Sequence, residues 1–416
     1  MEIKRDLYLN QLILRKHNPL IKVITGIKRC GKSYLLFELF KKHLLSQKVN
    51  QDHIIEMSFD DFDNQKFQDP SVFFPYVKEK LKDDKMYYIL LDEVQLLKDF
   101  EYVLNSFLKM KNVDVYVTGS NAKFLSKDII TEFRGRGDEI HLYPLNFSEF
   151  MSTQKDILSG WKDYTTYGGL PLITSFKTHE QKTSFLTSIF TETYIKDIVG
   201  RHRIRNKSEL DEILNILSSS IGSLTNPSKL SRTFKSIKNK DITPNTIKQY
   251  IEYFTDSFLI DKALKYDIKG KKYINTPLKY YFTDIGLRNA RINFRQTEES
   301  HLMENIIFNE LKIRKYSVDV GTVISNEIDK NGSHIRKSRE IDFVCNLGSK
   351  RYYIQSALSI SDKKKLDQEL KSLSGTKDEF KKIVITKNNL SPYYNDQGIL
   401  ILDLFDFLLN EKSLEY

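Results

Sequence analysis

Cysteine is almost missing from this 416-residue chain, which has two, Cys30 and Cys345. One of them lies inside a glycine-bounded loop, so a disulfide-stapled scaffold is excluded and a reducing compartment is expected. No apolar run approaches the length needed to cross a bilayer. The stretch Met1-Glu2-Ile3-Lys4-Arg5-Asp6 has no apolar signal core. Internal repeats and low-complexity linkers are also missing. These absences argue against membrane-spanning, exported and solenoid classes, and the expectation is a soluble cytoplasmic protein without a membrane partner.

Acid is in deficit relative to base. Lys and Arg number 65 against 55 Asp and Glu, a net charge of +10 with a pI near 9.1. That balance suits an anionic partner such as nucleic acid, and it equally suits a lysine-rich solvated surface. At 40% hydrophobic residues the chain can fill substantial cores, and its length suggests about two to three domains.

The most informative stretch is Gly26-Ile27-Lys28-Arg29-Cys30-Gly31-Lys32-Ser33, with Tyr34 next. It reads G-x-x-x-x-G-K-S between a buried-strand pattern, Pro19 to Thr25, and a helical one from Ser33 to about Leu45. Glycines at both ends let backbone N–H groups turn inward toward phosphate oxygens, and the helix N-terminus adds partial positive charge. Lys32 is placed to reach β- and γ-phosphates and Ser33 to offer its hydroxyl to Mg²⁺. Upstream, Arg5 and Tyr8 either cover an adenine or simply pack.

His53–Phe59 reads as a strand, and a helix is expected over about 70–83. The apolar run Tyr87-Tyr88-Ile89-Leu90-Leu91 then ends in Asp92-Glu93, the Walker B pattern. Asp92 would hold Mg²⁺ and Glu93 would polarise the attacking water. The chain order implies a further strand between the two nucleotide-binding strands. A glutamate beside the aspartate points to ATP hydrolysis rather than kinase chemistry.

Val113, Val115 and Val117 alternate as in a strand. The strand ends at Ser120-Asn121, beside the Walker B tip, where either residue suits a sensor role toward water or γ-phosphate. After a helical stretch, Arg134 and Arg136 are candidates for a finger reaching ATP on a neighbouring subunit, with Arg136 preferred, which would make the protein a homo-oligomer sharing its sites. The alternatives are solvent or DNA phosphate. Ile140–Tyr143 closes the core, and Pro144–Phe150 opens a helix. Residues 150–215 read as mainly helical. They are punctuated by Tyr167-Gly168-Gly169-Leu170-Pro171, where Pro171 either touches adenine or marks a plain turn.

Lys196, Arg201, Arg203, Arg205 and Lys207 form a cationic run with His202, a solvated face or a phosphate contact. Residues 208–292 read as a winged helix. Ser228–Phe234 and Thr243–Ile251 are its helices, the second with Thr243 as N-cap and Pro244 in the first turn. Leu259–Ala263 and Lys271–Ile274 form its hairpin, and Lys262, Lys265, Lys269, Lys271 and Lys272 place the wing under positive charge. Such a module suits duplex DNA or docks a protein.

From about 293 a helix over Ser300–Arg314 is followed by strands at Ser317–Val323, Glu340–Cys345, Arg351–Leu358 and Lys382–Thr386. This order resembles the restriction-endonuclease-like, PD-(D/E)xK fold, which binds Mg²⁺ through a helix glutamate, a strand aspartate and E-x-K. Glu304 and Asp342 match the first two. Gln355-Ser356-Ala357 departs at the third, with glutamine for glutamate and no lysine. The resemblance therefore implies a degenerate metal site of Glu304, Asp342 and Gln355, and nuclease activity is not expected. Ser325–Ser338 is expected to be a disordered loop.

Taken together, Thr25–Ser33, Leu91–Gln95, Thr118–Ala122, Tyr143–Phe150, Tyr167–Pro171, Phe282–Asn289, Glu340–Phe343 and Tyr352–Gln355 resemble a bacterial and archaeal family of AAA-type ATPases. Members carry a C-terminal domain of unknown function. The expected architecture is α/β: a P-loop AAA-like core over 1–150, a helical lid over 151–207, a winged helix over 208–292, and a restriction-endonuclease-like domain over 293–416. ATP and Mg²⁺ are the expected cofactors and DNA the expected partner. The expected activity is ATP-driven work on branched or processed DNA in repair, recombination or defence. A nucleotide-dependent switch or scaffold, and an ATP-regulated metal-dependent nuclease, are the alternatives.

Overall fold

The structure is a computed structural model of the chain. It describes residues 2–120, 136–238, 241–295, 298–328, 334–359, 363–376 and 378–416. Two compact units are present. One comprises Met1–Leu145, Leu170–Ser175 and Asp256–Phe258, and the other Asn146–Gly169, Phe176–Thr255 and Leu259–Tyr416.

The first unit is built on β1 (Ile21–Thr25), β2 (Ile54–Ser58), β3 (Tyr87–Asp92), β4 (Val113–Gly119) and β5 (Gly137–His141). All pairings are parallel and the order is β2-β3-β4-β1-β5. Every residue of β1 and β3 is buried, as expected of central strands covered on both faces. A strand does separate β1 from β3. It is β4, which follows Walker B in the chain, whereas β2 takes the edge. Thr25 sits opposite Gly119 and His141, and Ser58 opposite Asp92. Parallel register thus brings the carboxyl ends of five strands to one edge, where open α/β sheets place their ligands.

Helix Asp6–Leu14 buries Tyr8 and Leu12. The expected 70–83 helix spans Pro70–Lys80, with Asp69 capping Ser71 and Pro70 in the first turn. Phe73 and Val77 from its apolar face join Ile89, Leu91 and Phe107 in the core.

In the second unit, helices Ile157–Tyr167, His179–Ser188, Lys207–Ser219, Pro227–Lys238 and Pro244–Asp256 precede an eight-stranded sheet. Its strands are β6 (Ile260–Asp267), β7 (Lys272–Phe282), β8 (Ser317–Ile328), β9 (His334–Leu347), β10 (Lys350–Ala357), β11 (Lys381–Thr386), β12 (Tyr393–Tyr394) and β13 (Leu400–Asp403). The order is β12-β13-β11-β10-β9-β8-β6-β7. The two expected helices and the hairpin after them all form. The hairpin, however, continues the C-terminal sheet, because β6 pairs parallel with β8 from Lys265↔Val320 to Asp267↔Thr322. A boundary at 292 therefore cuts through one continuous sheet.

Helix Glu299–Ile313 and strands β8, β9, β10 and β11 follow the expected order, with helix Lys363–Ser374 between β10 and β11. Of the polar stretch Ser325–Ser338, residues 329–333 lie outside the described residues, and the rest departs from expectation. Its arms extend β8 and β9 as a ladder from Ser325↔Lys337 to Ile328↔His334. Ladder bonds satisfy the backbone whatever the polarity of the side chains.

Two resembling motifs lock together here. Asp284 caps helix Ile285–Arg291 through the Leu287 N–H and also accepts the Gly169 N–H at 2.7 Å. A Cβ on Gly168 would lie 2.3 Å from the Asp284 carboxylate, and one on Gly286 2.0 Å from the Tyr167 carbonyl. Asn289 donates to the carbonyls of Thr165 and Thr166.

Candidate nucleotide site and a second carboxylate cluster

The loop leaving β1 turns sharply. Gly26 has φ 143°, Arg29 67° and Gly31 101°, left-handed values that favour glycine at the two flanks. At Gly26 the constraint is also spatial, since a Cβ would lie 2.1 Å from the Leu142 carbonyl oxygen. Ile27, Cys30 and Lys32 are buried, Lys28 and Gly31 half-buried, and Arg29, Ser33 and Tyr34 exposed. Burial pushes the Cys30 thiol pKa up, consistent with packing rather than chemistry. The Lys32 ammonium donates to the loop's own carbonyls, Gly26 at 3.1 Å and Ile27 at 3.4 Å. A phosphate oxygen would be the stronger acceptor.

Asp92 at the tip of β3 is 3% exposed. It accepts from the Ser33 hydroxyl at 2.7 Å, from Thr118, and from Ser58 at 3.5 Å. Burial raises its pKa, opposed by Thr118 and Ser33. A desolvated carboxylate held by hydroxyls and touching the P-loop serine suits a bound cation, so Ser33 and Asp92 fit the Mg²⁺ of a nucleotide complex. Glu93 leaves the strand in the left-handed region, at φ 49°. Its carboxylate accepts from Ser120 at 3.0 Å and from Gln95, while its N–H donates to Thr118 at 3.0 Å.

The expected sensor position is therefore half visible. Ser120 touches Glu93, whereas Asn121 and Arg134 lie outside the described residues. Thr118 and Gln95 lie in the resembling stretches Thr118–Ala122 and Leu91–Gln95, where neither was given a role. Thr118 sits within an alternating strand that explained itself, and Gln95 follows the motif at a spacing only the 3-10 turn Val94–Leu96 brings back.

Pro171 Cγ would lie 3.7 Å from a Cβ on Gly31, so Pro171 does pack over the P-loop. Arg5 and Tyr8 are both buried. Arg5 donates to the carbonyls of Cys30 and Tyr143, and Tyr8 receives the Tyr143 N–H. Arg136 is exposed, with its guanidinium 3.3 Å from Asn105 and its carbonyl bonded to the Ile21 N–H. It thus stands at the start of β1, about 16 Å of strand from the loop at the other end, and does not serve its own P-loop.

In the second unit the structure brings Glu304, Asp342 and Gln355 together. Asp342 accepts the Ser356 N–H at 2.9 Å, and its own N–H faces the Gln355 side-chain oxygen at 3.4 Å. Sequence reading missed the residue at the centre. Lys279 of β7 places its ammonium 2.9 Å from Glu304, 2.6 Å from Glu340 and 3.7 Å from Asp342. Burial opposes that charge, but Glu304, Asp342 and Glu340 outweigh it and raise its pKa. Asp342 is pushed up to about 8, by burial first and then by Glu304. Beside the cluster lies a cavity of about 370 Å³ lined by Lys337, Arg339, Glu340, Gln355, Lys371 and Ser372, among others.

The cationic run is partly neutralised, Lys196 by Glu192 and Arg201 by Asp197. His202 stacks on Tyr253 at 3.6 Å.

The parallel five-stranded sheet with the P-loop and the carboxylate pair at its carboxyl edge matches a P-loop ATPase core. A family profile described as "AAA domain" matches residues 18–151, and one described as "Domain of unknown function (DUF8612)" matches 158–298. The chain belongs to the same family as an uncharacterized protein of Haemophilus influenzae, which is 33% identical over 417 residues and covers 98% of both chains. An uncharacterized protein of Methanocaldococcus jannaschii is 26% identical over 397 residues, covering 91% of this chain and 83% of its own. Among solved structures, a Walker-type ATPase of Pyrococcus abyssi is similar at 15% identity and a TM-score of 0.48. The match spans 70% of this chain and 96% of that one. No helix among the described residues is long and apolar enough to cross a membrane.

Proposed function

We propose that this protein hydrolyses ATP with Mg²⁺ and uses the cycle to act on DNA. The observation that carries the hydrolytic half is the Ser33–Asp92 contact of 2.7 Å beside a Glu93 clamped by Ser120 and Gln95. Lys32 and the N–H groups of Gly26–Ser33 would hold the phosphates, with Pro171 and Tyr34 near the nucleotide. Ser33 and Asp92 would hold Mg²⁺, which when bound neutralises phosphate charge. Glu93 orients the attacking water and takes its proton. Ser120, with Asn121 next to it, holds Glu93 in register. Arg136 would stabilise charge on ATP held by a neighbouring copy, making the working form a homo-oligomer.

The DNA half draws on Lys262, Lys269, Lys271 and Lys272, all exposed on β6 and β7 or the turn between them, and on Lys337, Arg339 and Lys371 around the cavity. The two helices before β6 and the hairpin itself supply the winged-helix elements. A protein-binding switch is the second reading. The ion pairs within 192–201 favour it, because they remove charge that phosphate contact would need.

ATPase assays with single-stranded, duplex and junction DNA, alongside binding at rising salt, test the proposal. Phosphate contact predicts turnover stimulated by DNA and affinity falling steeply with salt, by about 10³-fold or more between 50 and 200 mM if some six contacts form. Turnover indifferent to every DNA, with salt-independent or no binding, would leave the switch.

A further inference from the structure

The restriction-endonuclease resemblance implies a divalent ion at Glu304, Asp342 and Gln355, and the residues present do not fit one. The point where the carboxylates converge is taken. Lys279 Nζ lies within 2.9 Å of oxygens from two different elements, helix Glu299–Ile313 and β9, with Asp342 at 3.7 Å. Its side chain is 3% exposed. The surroundings fix it there. Tyr281, two residues on along β7, donates its hydroxyl to the same Glu304 oxygen at 2.7 Å. The backbone passes over Glu304 at Gly222, where a Cβ would stand 3.0 Å from both carboxylate oxygens. Thr225 and Leu278 exchange backbone hydrogen bonds, at 2.6 and 3.0 Å, and hold that loop against β7. Ala357 offers no cation of its own, and no group of three or more His, Cys, Asp or Glu side chains among the described residues is arranged to hold a metal.

From this placement we infer that Lys279 is the resident cation of the C-terminal cluster, so that the domain takes up no divalent metal there. An ammonium and a divalent ion compete for the same oxygens. A buried lysine with two short ion pairs does not yield its place without stranding the carboxylates it holds. The cluster serves instead as an electrostatic pin. It joins β7, helix Glu299–Ile313 and β9. This goes beyond the ATPase and DNA readings and rests on neither.

The test uses the full chain without nucleotide and Mn²⁺ as probe, counting bound ions by the loss of the free Mn²⁺ electron-spin-resonance signal. In the wild type, Asp342→Asn should leave the count unchanged. Lys279→Met, close in length but uncharged, should gain one ion per chain, and Lys279→Met with Asp342→Asn should lose it again. Should Lys279→Met accumulate unfolded, Mn²⁺ should restore folding where KCl of equal ionic strength does not. A wild-type count that drops by one with Asp342→Asn overturns the inference. So does a folded Lys279→Met with no extra ion, or an unfolded one that Mn²⁺ fails to recover. No nucleotide enters the assay, so failure of the ATPase reading would not disturb its outcome.

Discussion

Replacing Glu93 by glutamine separates nucleotide binding from hydrolysis. Glutamine keeps the shape of the side chain and its hydrogen bond to Ser120, which stands 3.0 Å away, but cannot accept a proton. Positioned general bases contribute about 10²–10⁴ in rate, or about 3–5.5 kcal/mol of barrier. The expected result for Glu93→Gln is therefore a fall in kcat of that size with KM for ATP within a few-fold, since no P-loop contact changes. Ser120→Ala removes one of two clamps, leaving Gln95 in place, so a smaller fall of about tenfold is expected, again in kcat. Steady-state phosphate release, with binding of a fluorescent ATP analogue as control, separates the two parameters. Turnover of Glu93→Gln within about threefold of wild type would refute the assignment. A loss confined to KM would move Glu93 from chemistry to binding.

Other consequences follow from the same geometry. Lys22 of β1 and Asp114 of β4 form a buried ion pair. Lys22→Met strands the carboxylate with only the Tyr116 hydroxyl and the His17 N–H, and should cost about 3–5 kcal/mol. For a unit of this size that is about 6–20 °C in Tm, and adding Asp114→Asn should recover most of it. Calorimetry showing an additive double variant would count against the pair. Gly26→Ala should abolish nucleotide binding or lower the expression of folded protein, because its Cβ meets the Leu142 carbonyl at 2.1 Å; a fully active variant would contradict the strained loop. Arg136→Ala mixed with Glu93→Gln should restore part of the hydrolysis that each lacks alone. No recovery at concentrations where oligomers form would dismiss the trans finger.

The nucleotide site was legible because its residues sit at element ends with fixed spacing. Gly26–Ser33 and Asp92-Glu93 needed only a strand before and a turn after. Sheet order was less legible. Nothing in Val113–Gly119 says that it enters between β1 and β3, because burial on both faces looks alike in every parallel strand. The same limit applied to β6 and β7, whose alternation marks a hairpin but not the neighbour that β6 will accept. Lys279 was missed because it lies 25 residues before Glu304, on a strand outside the motif. Its signal was a lone lysine beside Tyr280, Tyr281 and Phe282, a charge where an apolar run should bury nothing unpaired. The polar stretch after Val323 misled in the opposite direction, since polar composition suits a loop and the arms of a β ladder alike.

The central claim is that Gly26–Ser33 and Asp92-Glu93 form a hydrolysing ATP site, and Lys32→Ala tests it most directly. Lys32 is the P-loop side chain proposed to reach phosphate, and its ammonium donates to the Gly26 and Ile27 carbonyls of its own loop, so its removal should leave the fold intact. Measurable ATP turnover is expected in the wild type, and none above background in a folded Lys32→Ala protein at equal concentration. Equal turnover in both proteins, or none in either under any nucleic-acid condition, would contradict the claim.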